Sequence, residues 1–137
     1  MSERNFWHLL RKSLHLRMYR VENKVMKGMP DIHYINRKGD SGWIELKYIP
    51  DWPEKRVSTG LSLNQVLWLE NYRKYEGQCW ILIRVSRDFI GLIDGNNARK
   101  TYNRVSKGEF TKLLHWYKKG NMSKEDWIDL SKVISCS

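Results

Sequence analysis

The sequence predicts an α/β or α+β domain, a mixed sheet with helices on its faces. Helix-like and strand-like spacings of apolar residues follow one another in the order α-β-β-α-β-β-α-α. Residues 78–85 are apolar enough for a central strand covered on both faces. Helix-capping patterns at Ser62/Gln65, Ser106/Glu109 and Ser123/Asp126 punctuate the chain. With 137 residues and 16.5 kDa, residues 1–137 are expected to form a single domain.

The first helix is expected from Glu3 to about Met18, with Ser2 as its cap. Phe6, Leu10, Leu14 and Met18 recur on one face. Residues 31–36 and 43–49 read as strands. The turn between them, Arg37-Lys38-Gly39-Asp40-Ser41-Gly42, makes the pair a hairpin. Residues 50–60 carry Pro50, Pro53, Ser58 and Gly60 and read as a loop. A helix over 62–75 carries Val66 and Leu69 on one face and stops at Gly77. Strands follow at 78–85 and 89–93. Helices are expected from Ser106 to about Lys118 and from Ser123 to about Val133.

Composition bounds the function. The formal net charge is +10, which favours a polyanionic partner, nucleic acid first. The basic residues do not sit opposite one apolar stripe, which argues against a membrane surface. The purest apolar run, Cys79-Trp80-Ile81-Leu82-Ile83, is far below the ~20 residues of a spanning helix. The charged N-terminus does not read as a secretory signal, so a cytoplasmic protein with no membrane partner is expected. Cys79 and Cys136 alone make neither a disulfide framework nor a four-ligand zinc site. His8, His15, His33 and His115 lack metal-ligand spacing, and Gly91-Leu92-Ile93-Asp94-Gly95 lacks the Lys-Ser/Thr of a phosphate loop.

The chemistry concentrates in the hairpin. Glu45 and Lys47 are two apart on a strand and share a face, with Leu46 on the other. The partner strand starts at Asp31 and brings that carboxylate towards the same face. Two carboxylates so close repel unless a cation joins them. Hard oxygen ligands favour Mg²⁺ or Mn²⁺, and the backbone carbonyl of Leu46 can add a third oxygen. Lys47 would orient or deprotonate a water and offset phosphate charge. The alternative is a surface hairpin in which Glu45 and Lys47 merely pair.

The run Arg20-Val21-Glu22-Asn23, then Gly28-x-Pro30-Asp31, then Gly42-Trp43-Ile44-Glu45-Leu46-Lys47 resembles the PD-(D/E)xK nuclease superfamily. Within it, the run is similar to the virus-type replication-repair nuclease (VRR-NUC) group, found in phages and in larger repair nucleases. The resemblance implies a restriction-endonuclease-like α/β fold, a central mixed sheet flanked by helices. It implies phosphodiester cleavage, with Asp31, Glu45 and the Leu46 carbonyl on the metal, Lys47 at the water, and Gln65 in the catalytic set. Gln65 also fits as half of the Ser62 capping box. Glu3 and Glu22 are further metal candidates; otherwise Glu3 favours the helix dipole and Glu22 pairs with Lys24 or Arg20. The implied substrate is branched DNA, most specifically a Holliday junction, cut by a homodimer in recombination or repair. A flap, nicking or restriction-like nuclease, or a non-catalytic basic DNA-binding protein, is the alternative.

Lys24, Lys27, Lys55 and Arg56 flank the site and are the candidate phosphate contacts. Trp52 either stacks at a junction or packs over the sheet edge. Leu113, Leu114, Trp116, Tyr117, Trp127, Ile128 and Leu130 either build a dimer interface or pack in the core.

Overall fold

The computed structural model describes residues 2–22 and 25–136. In chain order the elements are α1 (Glu3–Ser13), β1 (Arg17–Arg20), β2 (Ile32–Ile35), β3 (Ser41–Ile49), β4 (Arg56–Ser58) and α2 (Leu63–Lys74). There follow β5 (Gln78–Val85), β6 (Phe89–Asp94), a 3-10 helix (Gly95–Thr101), β7 (Arg104–Ser106), α3 (Lys107–Leu113), β8 (Leu114–Lys119) and α4 (Lys124–Cys136).

Six strands form one sheet in the order β1-β2-β3-β5-β6-β8. β3 and β5 run parallel and the other neighbours antiparallel, so the sheet is mixed. A parallel pair needs a long crossover, and α2 supplies it. Strand alternation sorts the apolar side chains into two cores. Ile32, Tyr34, Ile44, Leu46, Trp80, Leu82 and Leu92 face α1 and α4, which contribute Phe6, Leu10, Trp127, Leu130 and Ile134. Cys79, Ile81, Ile83, Val85 and Ile93 face the other way, onto Val66 and Leu69 of α2 and Phe110 of α3. β5 is central and buried on both faces, as its continuous apolar run predicts. The Cys79 thiol is buried and its pKa is pushed up to about 12, so it behaves as a small apolar group.

Two expected helices are shorter than predicted, and a strand follows each. The first ends at Ser13, and Arg17–Arg20 pairs with β2 instead. Leu10, Leu14 and Met18 fit a helical spacing, but Leu14, Leu16 and Met18 equally fit a strand. The open edge of β2 decides between them. The helix expected over residues 106–118 stops at Leu113, and Leu114–Lys119 continues as an edge strand on β6. β4 lies inside the predicted loop over 50–60 and pairs with β7, two strands of three residues each that carry no usable periodicity.

The residues offered as a dimer interface divide. Trp127 and Leu130 are core, Trp116 packs against the α1–α4 core, and Leu113 and Leu114 against the α2–α3 core. Tyr117 is exposed. Trp52 packs edge-on against Phe89 at 4.9 Å and Phe110 at 6.1 Å. Among the described residues, no helix is long and apolar enough to cross a membrane.

Candidate active site

The β2–β3 register builds the site. Ile32 pairs with Ile44 and His33 with Trp43. One step further along the antiparallel ladder, Asp31 comes opposite Glu45. The backbone carbonyl of Asp31 accepts from the Val21 N–H at 2.8 Å, which anchors this end of the strand. The Asp31 carboxylate reaches across, and its Oδ2 accepts the Leu46 N–H at 3.1 Å. The Leu46 side chain is buried in the α1–α4 core, so only its backbone borders the carboxylates.

Glu45 and Lys47 share the α2 face of β3. Glu45 is buried, at 2% exposure. A carboxylate in that position needs partners. Gln65 Nε2 donates to Glu45 Oε2 at 3.0 Å, and Lys47 Nζ lies 3.6 Å from the same oxygen. Lys47 Nζ also donates to Gln65 Oε1 at 3.3 Å and to the Gly60 carbonyl at 3.4 Å. The ammonium is thereby held against three acceptors and points in one direction.

Gln65 serves two purposes at once. Its Oε1 accepts from the Ser62 N–H at 2.9 Å while Ser62 Oγ accepts from the Gln65 N–H at 3.2 Å, a complete capping box. The same oxygen meets Lys47, and the amide nitrogen meets Glu45. The reverse amide orientation would set N–H donors against the ammonium and the Ser62 N–H, so the assignment is fixed by its neighbours. The first turn of α2 therefore lies against the carboxylate, with the positive end of the helix dipole towards it.

Gly28 fixes the loop that delivers Asp31. Its φ is +83°, and a Cβ there would fall 2.2 Å from the Asn64 carbonyl oxygen in the first turn of α2. The loop rests directly on the helix that carries Gln65. Gly28→Ala is expected to displace Asp31 from Glu45 and to lower activity on the substrate proposed below by about 100-fold. The check is a cleavage rate measured beside a circular-dichroism spectrum that stays folded.

Glu22 is exposed and lines a shallow groove with Arg4, Trp7, His8, Arg11 and Arg20, on the α1 side of the sheet. Glu3 is half-buried in the first turn of α1, the helix that covers the sheet face opposite Glu45. Lys27 is exposed in the turn before Gly28. Lys24 lies outside the described residues. Lys55 and Arg56 are exposed and line a groove of about 660 Å³ beyond the end of β3, together with Arg104. Arg104 was not singled out by sequence because only the β4–β7 ladder brings it there: Ser58 pairs with Arg104. The Gly60 carbonyl escaped notice for a similar reason, since a backbone acceptor leaves no sequence signal. His33 packs edge-on against Trp43 at 4.9 Å, and burial lowers its pKa, which favours the neutral ring.

The six-stranded mixed sheet with helices on both faces is a restriction-endonuclease-like fold, and its β2–β3 hairpin carries the carboxylate–lysine cluster. No protein-family model matches the chain, and no curated protein matches it. Among solved structures the chain is similar to the 1.6 Å structure of Archaeoglobus fulgidus Hjc, a Holliday junction resolvase from an archaeal hyperthermophile. The two share 18% sequence identity with a TM-score of 0.56, over 82% of this chain and 89% of that one. At that identity the likeness is one of fold.

Proposed function

We propose that this protein is a divalent-metal-dependent endodeoxyribonuclease of the PD-(D/E)xK superfamily that cuts branched DNA, most specifically four-way junctions. The observation that carries the reading is the convergence of Asp31, Glu45, Lys47 and Gln65 on one face of a restriction-endonuclease-like sheet. The fold shared with a junction resolvase supports the substrate class. The narrower likeness to the VRR-NUC group rests on the motif residues alone.

The donor set fits a hard cation. Among the described residues no group of three or more His, Cys, Asp or Glu is placed to hold a metal ion. Mg²⁺ commonly binds through one or two carboxylates and keeps several waters, and Asp31 and Glu45 supply that number. A cation held there would acidify an attacking water and offset the charge that grows on the phosphate. The chain's own residues do the positioning. Lys47, fixed by Gln65 and the Gly60 carbonyl, presents a positive charge beside Glu45 and orients the water towards phosphorus. Gln65 keeps Glu45 and Lys47 in register. The water gives one proton to solvent as its oxygen forms the new P–O bond, the bond to the 3′ oxygen breaks, and that oxygen takes a proton from solvent. Asp31 and Glu45, with the backbone carbonyl of Leu46 next to Glu45 in sequence, would hold the cation, and Glu3 and Glu22 are the further acidic candidates.

The excess of +10 supplies general attraction for DNA, with Lys27, Lys55, Arg56 and Arg104 as phosphate contacts. A homodimer would set two such sites against two strands, in the cytoplasm where DNA is processed. The test is incubation with labelled four-way junction, flap and plain duplex DNA in Mg²⁺ or Mn²⁺, repeated with Asp31→Ala, Glu45→Ala and Lys47→Ala. Junction cleavage by the wild type and loss in all three variants is expected. A wild type that cuts nothing, or variants that cut as well, would refute the reading. Preferential cutting of flaps would move the substrate within the same superfamily.

A further inference from the structure

We propose that Arg84 is the floor of a second binding site, which takes a small tetrahedral oxyanion such as phosphate or sulfate. Arg84 is in β5, on the face opposite Glu45 and beneath α1. It is only 8% exposed. Its Nη2 donates to the Arg87 carbonyl at 3.3 Å, and its guanidinium lies over the Phe6 ring at 5.9 Å. Among the described residues its Nε and Nη1 have no hydrogen-bond partner. Among the described residues no carboxylate forms an ion pair with it, and the neighbouring charge is another cation, Arg87.

Such an arrangement is costly as it stands. A buried guanidinium loses its hydration, and each orphaned N–H forfeits a hydrogen bond. Desolvation works most strongly against the charged form and Arg87 adds to it, while Tyr48, opposite on β3, works the other way; the balance still lowers the Arg84 pKa. A bound anion would accept from the orphaned N–H groups and supply the missing counter-charge.

The space is there. Arg84 borders a cavity of about 200 Å³, whose lining includes Arg87 and Asn121 and whose apolar wall includes Leu9 and Trp127. Water occupies roughly 30 Å³ per molecule in the liquid, so a phosphate group and a few waters fit. Arg presents its N–H groups as a planar fork that matches two oxygens of a tetrahedral anion. Arg87 adds charge, and Asn121 adds an amide donor. The anion would join α1, the β5–β6 turn and the β8–α4 connection.

The site is independent of the proposed nuclease chemistry, and its test keeps it so. Thermal midpoints are measured without divalent cation, when the Asp31–Glu45 face repels anions. Inorganic phosphate, sulfate and a nucleoside monophosphate are compared with chloride at equal ionic strength. The wild type is expected to rise by about 5–10 °C with phosphate at a hundredfold excess over Kd, and Arg84→Met by less than about 1 °C. A response to phosphate and sulfate alone identifies a free ion; an equal response to the monophosphate identifies the phosphate end of a nucleotide. No rise in the wild type, or an equal rise in Arg84→Met, overturns the proposal. Should Arg84→Met not fold, a wild-type crystal soaked in tungstate decides: anomalous density beside Arg84 supports the site, and its absence overturns it.

Discussion

Glu45→Gln is expected to reduce cleavage of a four-way junction by about a thousandfold while the protein stays folded and continues to bind the junction. The substitution preserves shape. Its amide oxygen can still accept from Gln65 Nε2, which meets Glu45 Oε2 at 3.0 Å in the wild type. What disappears is the negative charge that would hold a cation and that faces Lys47 at 3.6 Å. Removing the charge of a side chain 2% exposed relieves a desolvation cost, but it leaves the Lys47 ammonium beside it without its counter-charge, so the thermal midpoint should fall while the protein still folds. Junction binding should hold or strengthen, since one source of repulsion with phosphate is gone. Single-turnover cleavage and a gel-shift titration on the same preparation check both halves. Parallel loss of binding and cutting would show that Glu45 holds the fold rather than the chemistry.

Trp80→Ala should destabilise the fold by about 3–5 kcal/mol, the range for truncating a buried aromatic side chain. Trp80 is fully buried on central strand β5. Its Nε1–H donates to the Ile134 carbonyl at 3.0 Å and ties the sheet to α4. The Tyr34 hydroxyl lies 2.9 Å from the same carbonyl and 2.8 Å from Gln78 Oε1, and its single proton serves one of them at a time. Arg73 lies over the indole at 5.1 Å and pairs with Asp94 at 2.8 Å. Alanine leaves a cavity and a carbonyl dependent on Tyr34 alone. At roughly 4 °C per kcal/mol for a chain of this size, the midpoint should fall by about 12–20 °C. Trp80→Phe keeps most of the ring and should lose about 1–2 kcal/mol, chiefly the hydrogen bond. A loss for Trp80→Ala no larger than that for Trp80→Phe would mean that the cavity collapses and that the hydrogen bond dominates.

The hairpin was the most legible part of the chain. Polar residues from Arg37 to Asp40 mark its turn, though Ser41 and Gly42, expected in the turn, already belong to β3 because they pair with Ile35 and Tyr34; period-two alternation sets Glu45 and Lys47 on one face. The expected strand over residues 78–85 coincides with β5, and α2 lies within the expected bounds. Both follow from strong local signals, an unbroken apolar run and a capping box. The failures have a common cause. Residues 14–18 fit a helix and a strand equally well, and Leu113, Leu114, Trp116 and Tyr117 have helical spacing although the last three belong to β8. In both places a free sheet edge takes the segment, and an edge is a property of the assembled sheet. β4 and β7 have no signal in isolation because each exists through the other.

The sequence by itself determined the order of the main elements, the two-faced character of β5 and the face that Glu45 and Lys47 share, because these depend on near neighbours along the chain. It also determined the positive charge. Only the tertiary structure decided that Gln65, eighteen residues from Lys47, bridges it to Glu45, and that the Gly28 loop rests on α2. The same holds for Arg104 beside Arg56, and for the burial of Arg84 with unmet donors in a cavity between three elements. Those contacts join segments far apart in sequence, so they depend on how the layers pack and not on any local periodicity.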